Sequence, residues 1–235
     1  MKKYLLLVAF CGIINLSFSQ GFAFGFKTGI TTAFQKWTSY SRRAPLLSPT
    51  GNIYIESLSE ENKNALFAQA GYHIKGSQIS NSFGISQQNG FERKKFKFNN
   101  ISLMVGAKQK KDWGASKAYY GIGFRGEFTH KTNLKEYEEL NKRFPIYPIE
   151  GAVKRFTYGF TFSGGLEMPI TDLIGGVIEL SINPDFGQQY FQPENPIPFK
   201  DYRGREIRIR ESKIINITIE LTVGMRFLYK VIYVD

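Results

Sequence analysis

Every second residue over positions 214–229 is apolar: Ile215, Ile217, Ile219, Leu221, Val223, Met225 and Phe227. The alternate row is small or polar, with Asn216, Thr218, Glu220, Thr222, Gly224 and Arg226. Period-two alternation of this length predicts a two-faced β-strand, because successive side chains of a strand point to opposite faces. It also exceeds the five or six residues usual in globular strands. A soluble barrel turns the apolar row inward, whereas a membrane barrel turns it toward lipid and keeps charges in the lumen. The pairing of large apolar residues with glycine, Glu220 and Arg226 favours the membrane orientation.

The same pattern recurs along the chain. Phe22, Phe24, Phe26 and Ile30 alternate with Ala23, Gly25, Lys27 and Gly29, and Leu66, Ala68, Ala70, Tyr72 and Ile74 with Gln69, Gly71, His73 and Lys75. Ile101, Leu103 and Val105 oppose Ser102, Met104 and Lys108, and Tyr120, Ile122, Phe124 and Phe128 oppose Gly121, Gly123, Arg125 and Glu127. Phe156, Tyr158, Phe160, Phe162 and Leu166 oppose Thr157, Thr161, Ser163 and Glu167. Ile174, Ile178, Leu180 and Ile182 oppose Val177, Glu179, Ser181 and Asn183. A shorter candidate, 52–58, is the weakest of the set. Long connections at 38–51, 77–95, 133–153 and 184–205 alternate with short ones. Short turns on one rim and long loops on the other predict an all-β, eight-stranded, antiparallel up-and-down transmembrane barrel with both termini in the periplasm. Eight strands enclose a lumen that side chains fill. A soluble, exported lipocalin-like barrel has the same strand count with the apolar rows inside.

The N-terminus sets the compartment. Lys2 and Lys3 precede an apolar run, and Ser17 and Ser19 stand at the positions a signal peptidase reads, which predicts a secretory leader over 1–19 and a mature barrel domain over 20–235. Cys11, the one cysteine, leaves with the leader, so neither disulfides nor thiol chemistry are expected. Losing Lys2 and Lys3 lowers the formal charge of +11 by two, to +9. No later apolar run is long enough for a membrane helix, which leaves a closed barrel as the route across a bilayer.

Two groups of residues are candidates for chemistry. The predicted lumen row collects Lys27, His73, Lys75, Lys108, Arg125, Glu127, Glu167, Glu179, Glu220 and Arg226, a near balance of acids and bases that suits a packed ionic plug. A proton path or a catalytic carboxylate pair is the functional alternative for the same row. His73 is its histidine, while His130 falls on the outward row. No serine stands at a motif position beside His73, and neither metal-ligand spacing nor a phosphate-binding glycine loop is present, so no cofactor is expected. The long-loop side carries a basic group: Arg42, Arg43, Arg93, Lys94, Lys95, Arg203, Arg205, Arg208 and Arg210. For an exported barrel the expected counter-charge is outer-membrane lipid and lipopolysaccharide rather than nucleic acid. Trp37, Tyr119, Tyr120 and Tyr229 are placed as interfacial girdle residues.

At the C-terminus, Thr222-Val-Gly224-Met-Arg-Phe227-Leu-Tyr229 resembles the assembly signal of outer-membrane barrels, with residues 230–235 as an added tail. Together with Gly25-Phe-Lys-Thr-Gly29, Gly71-Tyr-His-Ile-Lys-Gly76 and Phe227-Leu-Tyr-Lys-Val-Ile-Tyr233, the layout is similar to the PorT-like small barrels of the Bacteroidota outer membrane. That resemblance implies a non-enzymatic integral barrel, a structural or accessory part of an envelope or type IX-like protein-secretion assembly, with other envelope or secretion proteins as partners. It carries over no catalytic residues. A membrane-embedded lipid-modifying enzyme is the alternative.

Overall fold

The computed structural model describes residues 21–38, 43–59, 63–80, 93–143, 147–194, 199–200, 204, 206–207 and 211–230. The expected leader lies outside the described residues, as do Arg42, Arg203, Arg205, Arg208 and Arg210. Eight long strands carry the architecture: β1 (Gly21–Trp37), β2 (Ala44–Leu58), β3 (Asn64–Ser80), β4 (Arg93–Trp113), β5 (Ser116–Thr132), β6 (Phe156–Pro169), β7 (Ile174–Pro184) and β8 (Ser212–Lys230). Each pairs antiparallel with its neighbours in chain order. β8 returns to β1, from Gly21 opposite Lys230 to Trp37 opposite Ile214, and closes the ring. Closure satisfies the backbone groups that an open sheet edge would leave bare in lipid.

Strand parity decides what faces where. Phe160, Ile217 and Leu221 are 38%, 48% and 47% exposed on the outside, while Arg125 and Glu220 are 3% and 7% exposed within. The lipocalin-like arrangement requires the reverse and is ruled out. Connections 59–63, 114–115 and 170–173 are short and 81–92, 133–155 and 185–211 long, as expected. The first, expected as a long loop over 38–51, spans only 38–43 because β2 begins at Ala44. The first and last described barrel residues lie on the short-turn rim, where Gly21 sits between Lys230 and Leu58. In the two-residue turn from β4 to β5, Gly114 adopts φ +61°, a conformation glycine reaches without strain.

Three expectations are corrected. β2 is more than twice the predicted 52–58 segment, and it contains Pro45 and Pro49. The β2–β3 ladder breaks and shifts register between Pro45 and Thr50, so both prolines stand at an irregularity on that side, while Pro49 keeps its place opposite Ile30 in the unbroken β1–β2 ladder. Inside the break the Ser48 hydroxyl donates to the Ile74 carbonyl at 2.6 Å. The 133–153 stretch, expected as a charged loop, holds a 3-10 turn (Leu134–Tyr137), a short α-helix (Glu138–Arg143) and a second 3-10 turn (Glu150–Ala152). Finally, Trp37 and Tyr119 are buried rather than interfacial, because each shares the parity of the inward row of its strand. Tyr120 and Tyr229, of the opposite parity, are outward and exposed.

Above the membrane-facing belt, the long-loop end builds a small apolar core. Trp37, Phe96, Phe98, Leu134, Tyr137, Tyr190 and Ile214 pack together there, with Tyr147 and Val153 against them. The chain that leaves β7 turns back over this mouth, and Tyr190–Gln192 adds a short strand to β8.

Candidate functional site

The interior below that cap is ionic. Among the described residues, six cations (Lys27, Lys75, Lys108, Lys110, Arg125 and Arg226) face six carboxylates (Glu56, Glu127, Glu167, Glu179, Asp185 and Glu220). Buried charges persist only when paired and hydrogen-bonded. Here they pair in two clusters, with Arg125 Nε, Glu127 Oε1, Glu167 Oε2 and Arg226 Nε making ion pairs but no hydrogen bond, and Arg226 Nη2 likewise without one.

The lower cluster, toward the short turns, is a chain of alternating sign drawn from six strands. The Lys27 ammonium meets Glu179 at 2.6 Å, and Lys108 stands 3.6 Å from Glu179 and 2.7 Å from Glu56. Lys110 bridges Glu56 at 2.8 Å and Glu167 at 2.7 Å, and Arg226 closes the chain 3.5 Å from Glu167. Aromatic faces supply further negative potential: the Lys108 ammonium lies 5.2, 4.9 and 4.7 Å from the rings of Tyr54, Phe67 and Tyr119. The Tyr119 hydroxyl donates to Glu179 at 2.7 Å. Tyr119→Phe removes a donor to a carboxylate and is expected to cost about 1.5–3 kcal/mol in denaturant unfolding of the folded barrel.

The upper cluster centres on Glu127, which lies 2.7 Å from the Lys75 ammonium and 2.6 Å from Arg125 Nε and accepts a hydrogen bond from Asn100 at 3.3 Å. Asp185 receives the other side of the same cations, Lys75 at 2.6 Å and Arg125 Nη2 at 2.7 Å, with Asn216 at 3.0 Å. His73 is wedged between two carboxylates, its Nε2 3.4 Å from Glu127 and its Nδ1 3.6 Å from Glu220. Gln189 ties the returning chain to the wall by accepting from Asn216 and donating to Asn100. Between the clusters lies a neutral layer that includes Asn52, Gln69, Ser102, Thr161, Ser181 and Asn183. The void there is about 10 Å³, at or below the space one water needs.

All ten lumen positions read from parity point into this interior, Arg226 with its side chain 11% exposed and the others buried. Three partners escaped that reading. Glu56 lies on β2, the strand with the faintest pattern. Lys110 continues the Lys108 row because β4 runs on to Trp113 before turning. Asp185 keeps the parity of Glu179, Ser181 and Asn183 one step beyond Pro184, where the proline ends the apparent strand; it pairs instead with Gly159 through a single bridge.

Among the described residues, the members of the basic group do not gather into one patch. Arg43 stacks its guanidinium 3.2 Å from the Trp37 ring centre, and the Lys94 ammonium lies 4.8 Å from that of Tyr147, so both belong to the apolar cap. Arg93 opens β4, and Lys95 is exposed on the outer face. His130 is outward, its ring 5.9 Å from that of Tyr72.

The chain is thus a membrane-spanning barrel that is greasy outside, salt-filled inside and capped at one mouth. No family model matches it, and no curated protein does. Solved structures to which it is similar include Neisserial surface protein A, at 11% identity over 87% of this chain and 97% of that one, TM-score 0.45. The outer membrane protein OprG from Pseudomonas aeruginosa follows at 8% identity over 88% and 97%, TM-score 0.48. Ail, the attachment invasion locus protein of Yersinia pestis, crystallised with the heparin analogue sucrose octasulfate, is similar at 13% identity over 88% and 99%, TM-score 0.42.

Proposed function

We propose that this protein is a non-enzymatic outer-membrane barrel, an anchoring or accessory component of an envelope or protein-secretion assembly of the type IX kind, with its working surface on the capped, long-loop side. The observation that carries this reading is the filled lumen: two ion clusters separated by a layer whose void is about 10 Å³. A layer this tight, at or below the space of one water, argues against an aqueous passage or a substrate pocket at that level of the lumen. The export signal expected over 1–19 and the resemblance of the sequence layout to PorT-like barrels support the location and the secretion role. Partners are then other envelope proteins met above the membrane plane, where the chain invests an aromatic core of its own.

Deletion of the gene tests the role. Loss of secreted proteins from the medium, with lipid A unchanged in mass, is the expected outcome; an altered lipid A mass with normal secretion would transfer the protein to the lipid-modifying enzymes. In planar bilayers the purified barrel is expected to show no current steps, and regular single-channel openings would remove the plugged-lumen premise. His73, 2% exposed and held between two carboxylates, is a packing group in this reading, so His73→Ala is expected to rescue the deletion's envelope phenotype as the wild type does.

A further inference from the structure

The apolar exterior is uneven around the ring. On β8 the outward row is apolar from Ile215 to Tyr229, whereas on β4 its unbroken apolar stretch is Ile101, Leu103, Val105 and Ala107, with Gln109 and Lys111 before Trp113 at the short turn. At about 3.3 Å per residue and a strand tilt near 40°, those rows stand about 35 Å and about 15 Å high. The belt of a membrane barrel is about 25 Å. A leaflet fitted to β8 therefore overhangs β4, and what meets it on the long-loop side is cationic.

Lys95 and Lys97 are exposed on the outer face of β4, and Lys131 is exposed on β5 opposite Asn99. The backbone that carries the first two is fixed: Asn133 Oδ1 accepts from the Lys97 N–H at 2.7 Å, Asn133 Nδ2 donates to the Lys95 carbonyl at 2.8 Å, and the Tyr137 hydroxyl donates to that same carbonyl. Among the described residues, the nearby carboxylates are engaged or belong to the cap helix. Glu150 binds Arg155 at 3.0 Å, Glu136 accepts from Asn133, and Glu138 and Glu139 sit in the helix of the cap. Elsewhere on the same rim, Lys213 is neutralised by Glu211 at 2.6 Å and Lys154 leans on Phe191. Below the three lysines the surface dips into a trough of about 860 Å³, walled by Ile53, Ile55, Leu103 and Phe124 and floored by Ala68 and Ala70. Six residues of β4 separate Lys97 from Leu103, about 20 Å along the strand, the scale of one extended acyl chain.

We propose that the outer face of β3–β5 is a binding site for one phosphorylated glycolipid of the lipid A class, its phosphates on Lys95, Lys97 and Lys131 and one acyl chain lying over Ile101 into the trough. Three clustered ammonium groups match a headgroup bearing two phosphates better than the single phosphate of a glycerophospholipid, and the short belt draws that headgroup down toward them. The inference rests on the outer-membrane location proposed above.

The test is native mass spectrometry of the mature protein in detergent, titrated in parallel with lipid A and with phosphatidylglycerol. Wild type is expected to hold one lipid A at least ten-fold more tightly than phosphatidylglycerol. The K95Q/K97Q/K131Q variant, checked for folding by its unheated gel mobility, loses that preference, and Lys36→Gln, at the rim of β1, keeps it. Equal affinity for the two lipids, or undiminished lipid A binding by the triple variant, overturns the site. Cell fractionation separates the two proposals: a barrel found in the outer membrane without a lipid preference sinks only this inference, while its absence from that membrane sinks both.

Discussion

Glu127→Leu is expected to destabilise the folded barrel by about 3–5 kcal/mol, the usual consequence of removing one member of a buried ion group and stranding its partners. Glu127 is 3% exposed and meets Lys75, Arg125, Asn100 and His73. Asp185 continues to receive Lys75 and Arg125 after the change, but one carboxylate then serves two desolvated cations at 2.6 and 2.7 Å. Guanidinium unfolding in lipid vesicles, followed by tryptophan fluorescence, measures the loss. A second substitution, Lys75→Met, is expected to return part of it, because it removes one of the stranded charges. A Glu127→Leu barrel within 1 kcal/mol of wild type would show that the upper cluster is looser than its distances indicate.

Gly224→Val is expected to abolish the closed barrel altogether. A Cβ at Gly224 falls on the Phe26 carbonyl oxygen and within 2.8 Å of Lys27 Cα, both of them backbone atoms of β1. The same close approach recurs from the other side, where a Cβ at Gly29 meets the Leu221 carbonyl oxygen and lies 2.8 Å from Thr222 Cα. These glycines let the first and last strands touch at the seam that completes the ring. With the seam propped open, β1 and β8 present unpaired edges to lipid, which no membrane structure sustains. The readout is loss of the fast-migrating unheated band. Gly126→Ala is the control: its Cβ meets nothing within 4 Å, so the band persists. Should Gly224→Val also keep the band, the seam is not the crowded contact described here.

The contrast between these positions shows what the sequence could and could not convey. Alternation conveyed β6, β7 and β8 nearly whole and the middles of β1, β3, β4 and β5, since a two-faced wall between lipid and ions forces large apolar and polar side chains onto opposite parities. It failed at β2, where Pro45, Pro49 and Gly51 carry no such contrast, and Glu56 was lost with it. Parity also placed ten of the interior's ionisable groups, but it said nothing about which cation meets which acid: Lys27 and Glu179 are 152 residues apart. The cap was opaque for a different reason. Trp37, Phe96, Tyr137 and Tyr190 come from four separate parts of the chain, and nothing local distinguishes an aromatic that packs inward above the membrane from one that rests at its surface.

The salt-filled interior has an electrical consequence. Six positive and six negative groups cancel within the described lumen, so the surplus of +9 expected of the mature chain resides on turns, loops and rims. A field across the membrane finds no net gating charge inside the wall to pull on. Ionic strength acts instead on the protein's adhesion to anionic surfaces, where counter-ions compete within a Debye length of about 10 Å at 0.1 M. Voltage and salt thus address different parts of the molecule: the first has little to grip, and the second works at the rims.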